Sequence, residues 1–137
     1  QALDALREIV DRFPNSEYAR DARLKIDLAR DHLAGKEMEI GRYYLERRDY
    51  AAAINRFRHV IKLYQTTSHV PEALHRLTEA YLSLGLQDEA RNSAAMLGHN
   101  YPGSEWYLDS YALLTGKDQR SVQVEQPWYG RVWDSVF

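Results

Sequence analysis

The stretch that most constrains this chain is Gly41–Val60, GRYYLERRDYAAAINRFRHV, in which small and aromatic residues recur at fixed intervals. Helical residues three or four apart share a face, so Gly41 with Tyr44, and Ala53 with Phe57, form two stripes. Glu46-Arg47-Arg48-Asp49 is a short polar break between them. The pattern describes two antiparallel helices whose small residues permit close approach while the aromatics fill the space beyond.

The flanking sequence extends the same theme. In residues 2–13, Leu3, Leu6, Ile9, Val10 and Phe13 lie on one stripe, Pro14-Asn15-Ser16 stops that helix, and Ser16 is placed to cap the next. From Glu17 to about Arg48 the pattern stays helical, with Ala22, Ile26, Ala29 and Leu33 giving way to Met38, Gly41 and Leu45. Its weak point is Gly35, a residue that costs about 1 kcal/mol relative to Ala inside a helix. One long helix is preferred over two helices hinged at Ala34-Gly35, and about 32 residues would span about 48 Å. Residues 50–64 form its partner, with Ala53, Ile54, Phe57, Ile61 and Tyr64 inward. After the loop Gln65–Ser68, Pro71 suits the first turn of a helix in which Leu74, Leu77, Tyr81 and Leu84 align, and Gly85 ends it. Tyr81 follows Tyr44 by 81 − 44 = 37 positions, and Ala90, Ala94, Leu97 and Pro102 continue the series.

Gly, Tyr, Ala and Phe at these offsets resemble the tetratricopeptide pattern, a repeat of about 34 residues. The expected fold is therefore all-α: a tetratricopeptide-repeat helical solenoid of antiparallel helix pairs, with one long helix and a short C-terminal helix and tail. It divides into a partial repeat at 1–16, repeats at about 17–68 and 69–103, an extra helix at 104–114, and a linker with an aromatic tail at 115–137. Ala2, Leu6, Ile9 and Pro14 match the back half of a repeat. The chain thus reads as a fragment whose first helix face expects a cover from preceding sequence or from a neighbour.

Composition narrows the function classes. A chain of 137 residues, 45% hydrophobic and 28% charged, suits one soluble helical domain, and its net charge of −2 gives no global basic field for nucleic acid. There is no cysteine, which removes disulfides, thiolate metal sites and a cysteine nucleophile, and no run of about 18 apolar residues. His32, His59, His69, His75 and His99 show no paired metal spacing and read as solvated or cap-forming residues. Gly35-Lys36 lacks the preceding glycine of a phosphate loop, and no catalytic triad can be assembled. The reading is a protein that is not an enzyme, with no cofactor and no metal.

Charge layout says more. Residues 50–64 carry Arg56, Arg58 and Lys62 with no acid after Asp49, and Arg47 and Arg48 lie just before them. Two readings stand side by side: an ordinary solvated face, or an electrostatic dock for an acidic partner, since Arg makes planar two-pronged contacts with carboxylates. Tyr44 occupies a packing position, whereas Tyr43 sits about 100° round the helix, where it would border a groove. By repeat geometry Glu72, His75, Glu79 and Leu82 would line the concave face, where repeat proteins hold peptide segments. The closing WYGRVWDSVF spaces Tyr129, Trp133 and Phe137 by four, and Trp128 heads a second such series. That tail has three readings: packing back as a cap on the repeats, binding another subunit, or anchoring at a membrane interface.

Loop and helix residues together carry a closer resemblance. FPNS, YA and DA within 13–22, YY, ER, Y and AAINRF within 43–57, VPEAL, RL, EAYLSLGL and DEA within 70–90, and LGHNYPGSEWY at 97–107 resemble the BamD (ComL-type) outer-membrane assembly lipoproteins. The likeness covers about residues 1–110, the C-terminal part of such a protein. It implies a non-catalytic scaffold in the machinery that folds and inserts outer-membrane barrel proteins. The family is held on the periplasmic face of the bacterial outer membrane by a lipidated cysteine that this sequence lacks. Implied partners are the last POTRA domain of BamA, other lipoproteins of the machinery and barrel-protein clients. The family's Asn-Arg at that contact corresponds to Asn55-Arg56, and its Glu-Arg after paired tyrosines brings in Arg47. The alternatives are another periplasmic tetratricopeptide adaptor that binds peptides or envelope proteins, and a peptidoglycan-processing enzyme.

Overall fold

In the computed structural model the described residues are 2–117, and they form six α-helices in succession. These are α1 (Ala2–Arg12), α2 (Glu17–Glu46), α3 (Tyr50–Leu63), α4 (Val70–Ser83), α5 (Gln87–Asn100) and α6 (Glu105–Thr115). Each packs on its neighbours in sequence, and α6 also lies across α4, so the helices stack as a repeat array.

The long helix is continuous. Ser16 caps its start by accepting from the Ala19 amide at 3.0 Å, and 30 residues carry it about 45 Å without interruption at Gly35. Its buried side chains, Ala19, Ala22 and Ile26, then Ala34, Met38 and Gly41, serve two interfaces in turn. Its N-terminal half meets α1, and its C-terminal half pairs with α3. Gly41 sets the closeness of that second pair: a Cβ there would stand 2.5 Å from Phe57 Cε1. Farther along, Ser68 donates to Asp31 Oδ1 at 3.1 Å and ties the α3–α4 loop to the spine.

The 37-residue spacing seen in the sequence is a spacing of backbone geometry. At the α2–α3 turn Asp49 N–H donates to Tyr44 C=O at 2.9 Å, and at the α4–α5 turn Leu86 N–H donates to Tyr81 C=O at 2.9 Å. Both turns need a residue at positive φ. Gly85 supplies it at 77°, and Arg48 occupies the matching position at 61°. The ends of α3 and α5 match as well: Tyr64 and Tyr101, again 37 apart, close their helices with ψ of 45° and 59°. Measured against the 14-residue α4, the 30-residue α2 is a repeat helix extended at its N-terminus by about four turns.

The core runs through the middle of the stack. Ala53, Ile54, Phe57 and Val60 of α3 meet Ala73, Leu74, Leu77 and Ala80 of α4, with Ala94 and Leu97 of α5 and Tyr107 and Tyr111 of α6 behind them. Two expected core positions differ. Leu84 follows the last turn of α4 and is 46% exposed, and Leu33 lies off the buried stripe of α2. Helix α1 buries no residue fully, as expected for a helix packed on one side only. Phe13 at its end is 60% exposed. No described helix is long and apolar enough to cross a membrane.

Candidate docking site

The basic helix α3 shows two flanks. Residues two apart on a helix point about 200° from one another, so Arg56 and Arg58 cannot share a patch. Arg56 turns towards α2, where its Nη1 donates to both oxygens of Glu37 at 3.2 and 3.3 Å. His59 Nδ1 stands 3.8 Å from the same carboxylate. Arg58 turns the other way, towards a hollow of about 500 Å³ between α3 and α5 that Asn55, Lys62 and Tyr81 also line. Arg58 acts on Tyr81 there: burial raises the phenol's pKa, Arg58 opposes it, Glu89 adds to it, and the net direction is up.

Arg47 stays at the α2–α3 turn. Its Nη1 donates to the Tyr43 hydroxyl, and its guanidinium lies over the Tyr43 ring at 5.0 Å, a cation–π contact on an exposed tyrosine. Tyr43 in turn meets Tyr44 edge to face at 5.5 Å. The structure thus joins Arg47 with Tyr43, Arg56 with Glu37, and Asn55 with Arg58. It does not gather all four predicted partner-binding residues into one surface.

The residues expected along the concave face form a closed network. Arg42 on α2 donates to both oxygens of Glu72 on α4 at 2.9 and 3.0 Å, and Arg76 Nε donates to Glu72 at 3.2 Å. Arg76 Nη1 donates to Glu79 at 2.7 Å, and its guanidinium stacks 5.3 Å over Trp106 of α6. His75 joins from beneath, with Nε2 at 3.0 Å from Glu79 and Nδ1 at 2.7 Å from Ser110 Oγ. Burial alone would raise the Glu79 carboxyl, but hydrogen bonds from His75 and Arg76 outweigh it and hold it below the usual range. Arg76 is likewise disfavoured by burial yet held charged by Glu79 and Glu72.

Here one expectation is corrected. His75 is not solvated and does not open onto a groove; it is 5% exposed, because α6 lies over it with Ser110 and Trp106. Helix α6 was expected from its own pattern, but nothing local in the sequence says that it covers α4. Glu72 and Glu79 keep only partial exposure and are occupied by arginines. Sequence reasoning missed Glu37, Arg42, Arg76, Trp106 and Ser110 as partners. The signal available for Arg76 was its spacing of four from Glu72 and three from Glu79. The tail residues Trp128, Tyr129, Trp133 and Phe137 lie outside the described residues.

This architecture is an all-α helical repeat of the tetratricopeptide type, with paired charges on one face and a basic helix on another. The family YfiO, described as outer membrane lipoprotein, matches residues 1–97, and the chain belongs to it. Curated relatives agree. The chain is 59% identical over 120 residues to the outer membrane protein assembly factor BamD of Caulobacter vibrioides, an alignment covering 88% of this chain and 39% of that protein. It is 55% identical over 111 residues to BamD of Rickettsia prowazekii (81% of this chain, 44% of that protein) and 41% identical over 111 residues to BamD of Neisseria gonorrhoeae (81% and 42%). The chain spans about two fifths of the length of these relatives.

Proposed function

We propose that this chain is a non-catalytic scaffold segment in the assembly of outer-membrane proteins, held at the periplasmic face of the outer membrane and docking on a POTRA domain of BamA. The likeness to outer membrane protein assembly factors supports the process, and the chemistry of α3 supports the docking. The observation that carries it is the Arg56 guanidinium. It binds Glu37 through Nη1, and its side chain keeps 38% of its surface exposed. A guanidinium has five N–H donors in a rigid fork, so Nη2 and Nε can receive a carboxylate from outside while Glu37 holds the fork in place. Arg47 at the turn adds a polar contact, whereas Asn55 and Arg58, which line the hollow on the other flank of α3, stand outside this dock. Other lipoproteins of the machinery and barrel-protein clients would meet the remaining surfaces.

The test is binding of purified BamA POTRA domains to wild type, Arg56→Lys and Arg56→Glu. A bidentate contact predicts weaker binding with lysine and a loss of tenfold or more, about 1.4 kcal/mol, with glutamate. Equal affinity for all three proteins would remove Arg56 from the contact.

A further inference from the structure

Arg58 and Lys62 stand on the flank of α3 away from Arg56, and among the described residues neither has a carboxylate within ion-pair distance. They form one rim of the hollow between α3 and α5, whose floor is Ile61, Leu74, Leu77 and Met96. A second hollow of about 350 Å³ shares Ile61, Leu74 and Met96 and carries the groove on towards Tyr101. The groove is thus apolar at its base and basic along one edge. The opposite rim offers Asn92, with Glu89 as its one carboxylate.

We propose that this groove receives an amphipathic helix of a partner protein bearing acidic residues one turn apart. Three features select that occupant. Arg58 and Lys62 are themselves one helical turn apart, so their charged ends match carboxylates at i and i+4 on a helix laid beside α3. A helix seated between two helices points one apolar stripe down, which suits a floor of leucine, isoleucine and an adaptable methionine. Both cations are exposed on the rim, where their charged ends are open to the carboxylates of an arriving helix. The inference rests on the docking reading in treating α3 as a contact element, but it concerns the other flank of the helix and a separate partner segment.

The experiment is a display selection of helical peptides of about 16 residues, with Glu, Gln, Lys, Leu and Ala allowed at every position, against the whole chain. Selected peptides are then measured by fluorescence anisotropy on variants whose folding is checked by circular dichroism. The expected winners carry Glu at i and i+4 beside an apolar stripe. They should lose at least tenfold in affinity on the double variant Arg58→Glu/Lys62→Glu, and equally on Asn92→Trp, which fills the groove without touching the cations. Arg56→Glu should leave them unchanged. Winners without acidic bias, winners indifferent to Asn92→Trp, or no winner sensitive to the groove would each overturn the proposal. If Arg56→Glu abolishes POTRA binding while no groove-dependent peptide emerges, the docking reading stands and this one falls. Groove-dependent peptides with POTRA binding insensitive to Arg56 would give the reverse.

Discussion

Gly41 and Phe57 are packed so closely that the phenyl ring occupies the place of a side chain on α2: a Cβ at Gly41 would lie 2.5 Å from Phe57 Cε1 and 2.9 Å from Cδ1. Both residues are buried, so the ring has no open side to which it can swing.

Gly41→Ala should therefore destabilise the chain by about 1–3 kcal/mol, although alanine is the better helix former. Chemical denaturation measures it. Combining Gly41→Ala with Phe57→Leu should cost less than the sum of the two changes, since the smaller side chain relieves the clash.

Arg48 holds φ at 61° where the equivalent turn one repeat later has Gly85. A non-glycine residue in that region carries backbone strain, so Arg48→Gly should raise stability by about 1 kcal/mol. Gly85→Ala should lower it by a similar amount, because at φ of 77° the strain arises with open space around the Cβ. Opposite signs in paired thermal melts check both.

Ser110 is fully buried and its hydroxyl meets His75 Nδ1 at 2.7 Å, with Glu79 on the other ring nitrogen. Ser110→Ala leaves a buried ring nitrogen without a partner and should cost about 1–3 kcal/mol. Loss of protection at α6 amides in hydrogen exchange, greater than at α3, would locate the effect at the α4–α6 contact.

The Glu79 carboxyl is held below its ordinary range by His75 and Arg76 despite its burial. A carboxyl with a depressed folded-state pKa contributes stability that is fully present above its unfolded value and lost as pH falls through the folded value. Between about pH 5 and pH 3 the wild type should thus lose more stability than Glu79→Gln. Parallel denaturation curves for the two proteins would refute this.

The packing pattern was legible in sequence because it is periodic. Ala53 and Phe57, Leu74 and Leu77, and Ala90, Ala94 and Leu97 repeat at helical spacing, and all are buried. The unbroken α2 was legible for a related reason, since a single Gly35 costs too little to offset the packing on both sides of it. The charge pairs were not legible. Arg56 meets Glu37 across 19 residues, Arg42 meets Glu72 across 30, and His75 meets Ser110 across 35. Those partners are chosen by how helices stack, and a single carboxylate within reach changes an apparently free cation into a paired one. The division of Arg56 from Arg58 was available from helical geometry alone, but which flank faced a partner within the chain was not.

The continuous α2 belongs to two neighbouring units at once. In an ordinary repeat array each seam between units is a contact that can open independently, and the array can fray from an end one unit at a time. Here the seam between the first and second units is covalent helix backbone, so a bend there would have to break the i to i−4 ladder itself. The α1–α2 end and the α3 surface therefore move as one lever about 45 Å long. A load taken up near Glu17 would reach Gly41 and Phe57 as a rigid displacement, with no joint between them to absorb it.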